Sequence, residues 1–173
     1  MKKLPFKILV IDVDGVLTDG TKLYNEHHMV IGKSFNDLDF TAIKRFKSSG
    51  IPVYAVTGDE WNHKMLNKRQ IQFFLPENTD GILDKSNTIF KIIDKYAKDY
   101  GITVVAADII YVGDDVYDMS MRQCQLFCPQ NAAKSLKEIS TIINQDGGKG
   151  VIAKLWDTFE EYFDDFVYPY DNL

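Results

Sequence analysis

The sequence predicts an α/β protein: a three-layer sandwich around a mainly parallel sheet, with a small β-hairpin inserted after the first strand. Three observations predict it. Short apolar, β-branched runs alternate with helical periodicities through most of the chain. These runs are apolar throughout instead of alternating, as strands buried on both faces require. Residues 21–34 break the rhythm, because Leu23-Tyr24 and Met29-Val30-Ile31 flank the polar Asn25-Glu26-His27-His28, the pattern of a hairpin.

The elements follow in order. Phe6 to Val13 reads as the first buried strand, ahead of the hairpin. Asn36 is an N-cap, and Leu38, Ala42, Ile43 and Phe46 recur at helical spacing until Gly50. Ile51 to Val56 is a strand, with Pro52 tolerated near its start. A short helix through Trp61, Met65 and Leu66 leads to a strand over Ile71–Phe74, then to a loop holding Pro76, Asn78 and Gly81. Lys85 to Tyr100 is a long helix with Ile89, Ile92, Ile93, Tyr96 and Tyr100 in one stripe, ended by Gly101. Ile109–Val112 is a strand, Asp115–Cys124 is helical, and Gln125–Cys128 is a strand. Asn131 caps a helix through Ile139, and Thr141–Ile143 is a last short strand. Gly147-Gly148-Lys149-Gly150 then breaks the chain before a final amphipathic helix, and residues 159–173 form an aromatic, acidic tail, either docked or loose. Alternating strands and helices imply right-handed crossovers and a Rossmann-like arrangement. No repeat, linker or low-complexity tract divides residues 1–173, so a single domain is expected.

Composition narrows the function. The chain is 45% hydrophobic and 26% charged, ordinary for a globular protein. A formal net charge of -5 argues against a nucleic-acid partner, although a bound divalent cation would still let an acidic site take a phosphate. Cys124 and Cys128 lack the second half of a zinc site, and His27, His28 and His63 lie far away in sequence, so two buried thiols are expected. Asp12 interrupts the apolar run after Met1-Lys2-Lys3 too early for a signal peptide or a membrane span. A soluble, cytoplasmic protein is the expectation.

In an open α/β sheet, ligands collect at the carboxyl ends of the strands. Four predicted strand ends carry polar groups: Asp12-Val13-Asp14, Thr57-Gly58, Asp84-Lys85 and Gly113-Asp114-Asp115. Each alone reads as a turn, a cap or a surface lysine. Together they suit phosphoryl transfer. A carboxylate attacks a phosphate dianion only where cations neutralise the group, and magnesium takes hard oxygen ligands such as those of Asp12 and Asp114. Lys85 adds a point charge, Thr57 and nearby backbone N–H groups add donors, and Asp14 is free to protonate the leaving alkoxide and later activate water.

This pattern resembles the haloacid dehalogenase superfamily of phosphotransferases. Asp12-Val13-Asp14-Gly15-Val16-Leu17-Thr18-Asp19-Gly20 is similar to its first motif, Thr57 to the second, Lys85 to the third, and Gly113-Asp114-Asp115 with Asp118 to the fourth. The resemblance implies Asp12 as nucleophile, Asp14 as general acid/base, and Mg2+ held by Asp12, Asp114 and the backbone carbonyl of Asp14. Asp115 and Asp118 would support the metal or orient Lys85.

Three further features resemble a cap-less subgroup, the 3-deoxy-D-manno-octulosonate 8-phosphate phosphatases and the related domains of acylneuraminate cytidylyltransferases. Asp19-Gly20 leads straight into a hairpin, Lys33-Ser34-Phe35-Asn36-Asp37-Leu38-Asp39 matches a Phe-Asn-x-x-Asp stretch, and Gly147-Gly148-Lys149-Gly150 matches a Gly-Gly-Arg-Gly turn. The likeness spans roughly residues 7–158 and implies a homotetramer whose hairpins close neighbouring sites, with Tyr24, Met29 and Ile31 apolar enough for that contact. Two departures bear on the substrate. Asp59 stands where the family has Arg, and would repel an acidic sugar unless a cation or hydroxyl intervenes. Lys149 replaces the Arg of the late turn, and Ala153 stands where a further Arg is common. The expected substrate is a small acidic sugar phosphate, of octulosonate 8-phosphate or nonulosonate 9-phosphate type. The alternative is a non-catalytic oligomerisation or regulatory module. A response-regulator receiver would carry its acidic pair at the first strand, and a mutase would need a cap.

Overall fold

The computed structural model describes residues 4–163. Strand β1 (Ile8–Asp12) is buried at every position, and its side chains alternate between two cores. The hairpin follows, with β2 (Leu23–Tyr24) antiparallel to β3 (Val30–Gly32). Helix α1 (Asp37–Ser48) starts at Asn36, whose side chain accepts from Leu38 N as the sequence predicts. Then come β4 (Val53–Val56), α2 (Trp61–Lys68) and β5 (Gln72–Phe74).

The expected loop at Pro76–Gly81 is instead a second hairpin, β6 (Glu77–Thr79) against β7 (Ile82–Asp84). Its two-residue turn is Asp80-Gly81, and both residues have positive φ, as this tight turn demands. Lys85 therefore leaves a small hairpin rather than a strand of the main sheet. Helix α3 (Asn87–Tyr100) ends at Gly101 in the left-handed conformation. After β8 (Ile109–Val112), the stretch expected to be helical is a 3-10 turn over Val116–Met121, capped by the Asp115 side chain.

The chain closes with β9 (Gln125–Pro129), α4 (Lys134–Lys137), β10 (Thr141–Ile143) and α5 (Val151–Phe159). Helix α4 is a single turn starting after Ala133, so Asn131 does not cap it. The Asn131 amide oxygen accepts from Gly147 N at 3.0 Å and anchors the late glycine turn. Of the predicted tail, Glu160–Tyr162 forms a 3-10 turn, and Phe163 stacks on Trp156 at 4.7 Å. Residues 164–173 lie outside the described residues.

The main sheet has six strands in the order β10-β9-β8-β1-β4-β5, every pairing parallel. One face carries α1, α2 and α5 through Phe40, Phe46, Leu66 and Trp156; the other carries α3 and α4 through Ile89, Ile92 and Leu136. This is the predicted three-layer sandwich. Strand order reverses at β1, because the chain builds outward through β4 and β5 and then returns to β8 on the opposite side. A crevice opens at such a switch point, at the carboxyl ends of the flanking strands.

Candidate active site

Three adjacent strands end in that crevice. Asp12 closes β1, Thr57 follows β4, and Gly113-Asp114 follows β8. They line an open pocket of about 840 Å³ with Asp14, Gly15, Gly58, Asp59, Lys85 and Asp115. Eight of the ten predicted site residues thus meet in one place. Of the other two, Asp118 lies buried behind the pocket, and Lys149 is exposed outside it. In the late turn it is the glycines that make the close approaches to the site. Gly147 packs so closely on the Gly15 carbonyl that a Cβ would lie 1.9 Å from it, and Gly148 N donates to Val16 O at 2.9 Å. The turn buttresses the loop that carries Asp12 and Asp14.

Asp12 is buried, and each of its oxygens has a donor. Val13 N reaches Oδ1 at 2.7 Å, and Lys85 Nζ reaches Oδ2 at 2.6 Å. Lys85 is itself buried and also donates to Asp118 Oδ1 at 2.6 Å. Burial alone would lower the Lys85 ammonium, but Asp12 and Asp118 override it and hold its pKa above the ordinary lysine range. Asp118 is fully buried and saturated. Oδ1 also accepts from the Tyr111 hydroxyl at 2.6 Å, and Oδ2 accepts from Asp114 N and Asp115 N at 2.8 and 3.0 Å. It fixes both the lysine and the turn presenting Asp114. Asp115 caps its own turn through Val116 N at 2.7 Å.

Asp12, Asp114 and Asp118 place carboxylate oxygens within 4.8 Å of one another, the only such cluster of possible metal ligands among the described residues. Burial, with Asp118 and against Lys85, pushes Asp12 up to about 7; burial together with Asp12 and Asp118 pushes Asp114 up to about 8. Buried hard oxygens that repel one another fit a small divalent cation such as magnesium. Asp118 already takes four donors, so of the three carboxylates it has the least capacity left for a cation. Gly15 (φ +82°) passes so close to Asp114 that a Cβ would sit 1.9 Å from Oδ2, so this loop requires glycine twice over. Cys124 and Cys128 are free and buried, as expected, and burial pushes the Cys124 thiol up to about 12.

The second half of the pocket holds residues that sequence reasoning missed. Lys33, just beyond β3, buries its side chain completely and donates to Asp14 Oδ1 and Oδ2 at 2.7 and 2.8 Å, to Asp59 Oδ2 at 2.8 Å and to Asn62 Oδ1 at 2.9 Å. Asn62, on α2, donates to Asp14 Oδ2 at 2.9 Å and to Thr57 Oγ1 at 3.0 Å. Thr57 Oγ1 also accepts from Asp59 N at 3.2 Å, which leaves its own O–H to donate into the pocket. Lys22, from the start of the first hairpin, reaches Asp59 Oδ2 at 2.7 Å. Partial burial opposes ionisation of Asp59, yet hydrogen bonds from Lys22 and Lys33 hold its carboxyl well below the usual carboxylate range. Asp59, which would repel an acidic sugar unless a cation or hydroxyl intervened, thus has two ammonium groups against it. Lys33 opens the stretch that resembles the subgroup, but nothing in that stretch names its partners, and both lysines come from a segment more than twenty residues from Asp59 in the chain.

A switch-point crevice with a buried carboxylate at the end of β1, a buried lysine and a second carboxylate on the neighbouring strand resembles the haloacid dehalogenase arrangement, and the sheet with its helices matches that superfamily's Rossmann-like fold. The chain is similar to 3-deoxy-D-manno-octulosonate 8-phosphate phosphatases. It is 29% identical over 154 residues to such a phosphatase of Haemophilus influenzae, covering 87% of this chain and 81% of the relative. The solved structure of a cobalt-bound deoxy-D-mannose-octulosonate 8-phosphate phosphatase of Haemophilus influenzae superposes with a TM-score of 0.77 at 28% identity, over 92% of this chain and 90% of that one. The 3-deoxy-D-manno-octulosonate 8-phosphate phosphatase of Moraxella catarrhalis, solved with a magnesium ion, a phosphate ion and a KDO molecule, shares the fold at 24% identity, with a TM-score of 0.75 over 93% of this chain and 91% of that one. No protein-family model matches the chain.

Proposed function

We propose that this chain is a magnesium-dependent phosphomonoester hydrolase that acts through an aspartyl-phosphate on a small acidic sugar phosphate. One observation carries the reading: Asp12, clamped by Lys85, lies with Asp114, Thr57 and Asp14 in one pocket at the sheet's switch point. Similarity to the Haemophilus phosphatases supports it. Asp12 and Asp114, with the Asp14 backbone carbonyl by resemblance, would hold the magnesium, which supplies positive charge to the phosphoryl oxygens when bound.

The residues divide the work. The Asp12 carboxylate attacks phosphorus as the ester P–O bond breaks, and Asp14 gives its proton to the departing oxygen. Lys85, the Thr57 hydroxyl and the backbone at Gly58 stabilise the charge on the transferring group. Asp14 then takes a proton from water, which attacks the phosphorus and releases phosphate and Asp12. Asp115 and Asp118 act behind these groups. On the substrate side, the pairing of Asp59 with Lys22 and Lys33 removes the repulsion that an unpaired Asp59 would exert on an acidic sugar. Octulosonate and nonulosonate phosphates both remain within this reading.

The single-domain and homotetramer readings belong to the same proposal. One sheet carries both cores, and the first hairpin exposes Leu23, Tyr24, Met29 and Ile31. Among the described residues no helix is long and apolar enough to cross a membrane. The test is a panel of sugar phosphates assayed with magnesium. Phosphate release abolished by Asp12→Asn supports the reading; no release from any ester favours the non-catalytic module.

A further inference from the structure

We infer that Lys33 is a positioning residue: its ammonium fixes the Asp14 carboxylate in the orientation from which it serves the leaving oxygen. The inference rests on the phosphatase reading above. A lysine whose side chain is wholly shielded from solvent is costly unless paired. Here the ammonium faces four acceptors: both Asp14 oxygens, Asp59 Oδ2 and Asn62 Oδ1. Two of these partner residues, Asp14 and Asp59, line the pocket, and the third, Asn62, binds Asp14 and Thr57. Trp61 covers the ammonium, its ring centroid 5.5 Å away.

The geometry separates positioning from simple attachment of the hairpin. Attachment needs one contact, and the contact between Lys33 and Asp59 supplies it. Lys33 in addition engages both oxygens of Asp14, and by accepting that ammonium the Asn62 amide is turned so that its NH2 group faces Asp14 and Thr57. The proton-transfer carboxylate is thus held from one buried charge, directly at both oxygens and again through Asn62. That charge arrives on the hairpin, so the hairpin serves the chemistry of its own subunit.

The experiment compares two leaving groups. An alkyl phosphate expels an alkoxide that needs a proton, whereas p-nitrophenyl phosphate expels an oxyanion that does not. kcat/KM reports the steps through departure of that group. In Lys33→Met, kcat/KM on the alkyl ester is expected to fall about 100-fold, with that on the aryl ester staying within about threefold of wild type. Equal losses on both esters, or no loss on either, would overturn the positioning role while leaving the phosphatase reading intact. Wild-type protein inactive on both esters would remove that reading and this inference with it. Should Lys33→Met fail to fold, a crystal structure of the magnesium-loaded wild type decides. Nζ within hydrogen-bond distance of both Asp14 oxygens supports the inference, and a Lys33 turned away from Asp14 overturns it.

Discussion

At the scale of single residues, the site sets three carboxylates, Asp12, Asp114 and Asp118, around one ammonium, that of Lys85. Burial raises the pKa values of Asp12 and Asp114 to about 7 and about 8, helped by the charge of Asp118 on both and of Asp12 on Asp114, and opposed by Lys85. A native carboxyl that holds its proton above the unfolded range contributes stability that is complete below that range and is lost as pH rises through the native value. Metal-free protein should therefore lose stability between about pH 4 and pH 8, and magnesium should restore it most where both groups have ionised. The expected result is a larger magnesium-induced rise in Tm at pH 8 than at pH 6, measured by calorimetry. A rise independent of pH would place the metal elsewhere. Asp118 gives a second prediction. It joins Lys85, Tyr111 and two backbone N–H groups in full burial, so Asp118→Ala should cost about 3–5 kcal/mol in urea unfolding. Asp12, Asp14, Thr57 and Asp114 were legible in the sequence because strand ends converge by topology. Lys33, Asn62 and Lys22 were not, because only tertiary packing brings them to Asp14 and Asp59.

At the scale of elements, the strands and long helices were legible because burial on both faces writes continuous apolar runs and α3 carries an unbroken stripe. The second hairpin was missed although Asp80-Gly81 is a strong turn signal. Its strands are three residues each and its side chains are largely exposed, so no apolar pattern marks it. The stretch from Phe35 to Asp39 acquires a structural meaning of its own. Asn36 caps α1, and Asp39 Oδ1 accepts from Ile152 N and Ala153 N at 2.7 and 3.2 Å, capping α5 from a neighbouring helix. This cap holds the end of the glycine turn that supports Gly15. Asp39→Ala should lower stability by about 1–2 kcal/mol, within the range of a lost N-cap. Burial pushes Asp39 up to about 6 against those N–H groups, so its native state keeps a proton that the unfolded chain releases. Wild-type stability should accordingly fall as pH rises toward 6, and Asp39→Asn, which keeps an acceptor, should flatten that slope in chemical unfolding.

At the scale of the whole molecule, the active pocket and the first hairpin pose one problem. The pocket is open, and among the described residues no separate cap covers it to exclude water from the proposed phosphoryl transfer. Strand β3 alternates: Val30 lines the pocket, and Ile31 points outward with 61% of its surface exposed. Leu23, Tyr24 and Met29 are more than half exposed on the same small element, a density of apolar surface that monomers rarely leave in water. A symmetric assembly resolves both features, since a hairpin anchored at its root by Lys33 can present its outer face to a neighbour while its inner face shapes the pocket. Light scattering after size exclusion should find wild-type protein as a tetramer. The double variant Met29→Glu, Ile31→Lys should shift it toward monomer without touching a pocket residue. If the pocket is completed by the neighbour, kcat/KM should fall with dissociation and recover as protein concentration drives reassembly. Wild-type protein that is monomeric at every concentration would overturn the assembly reading.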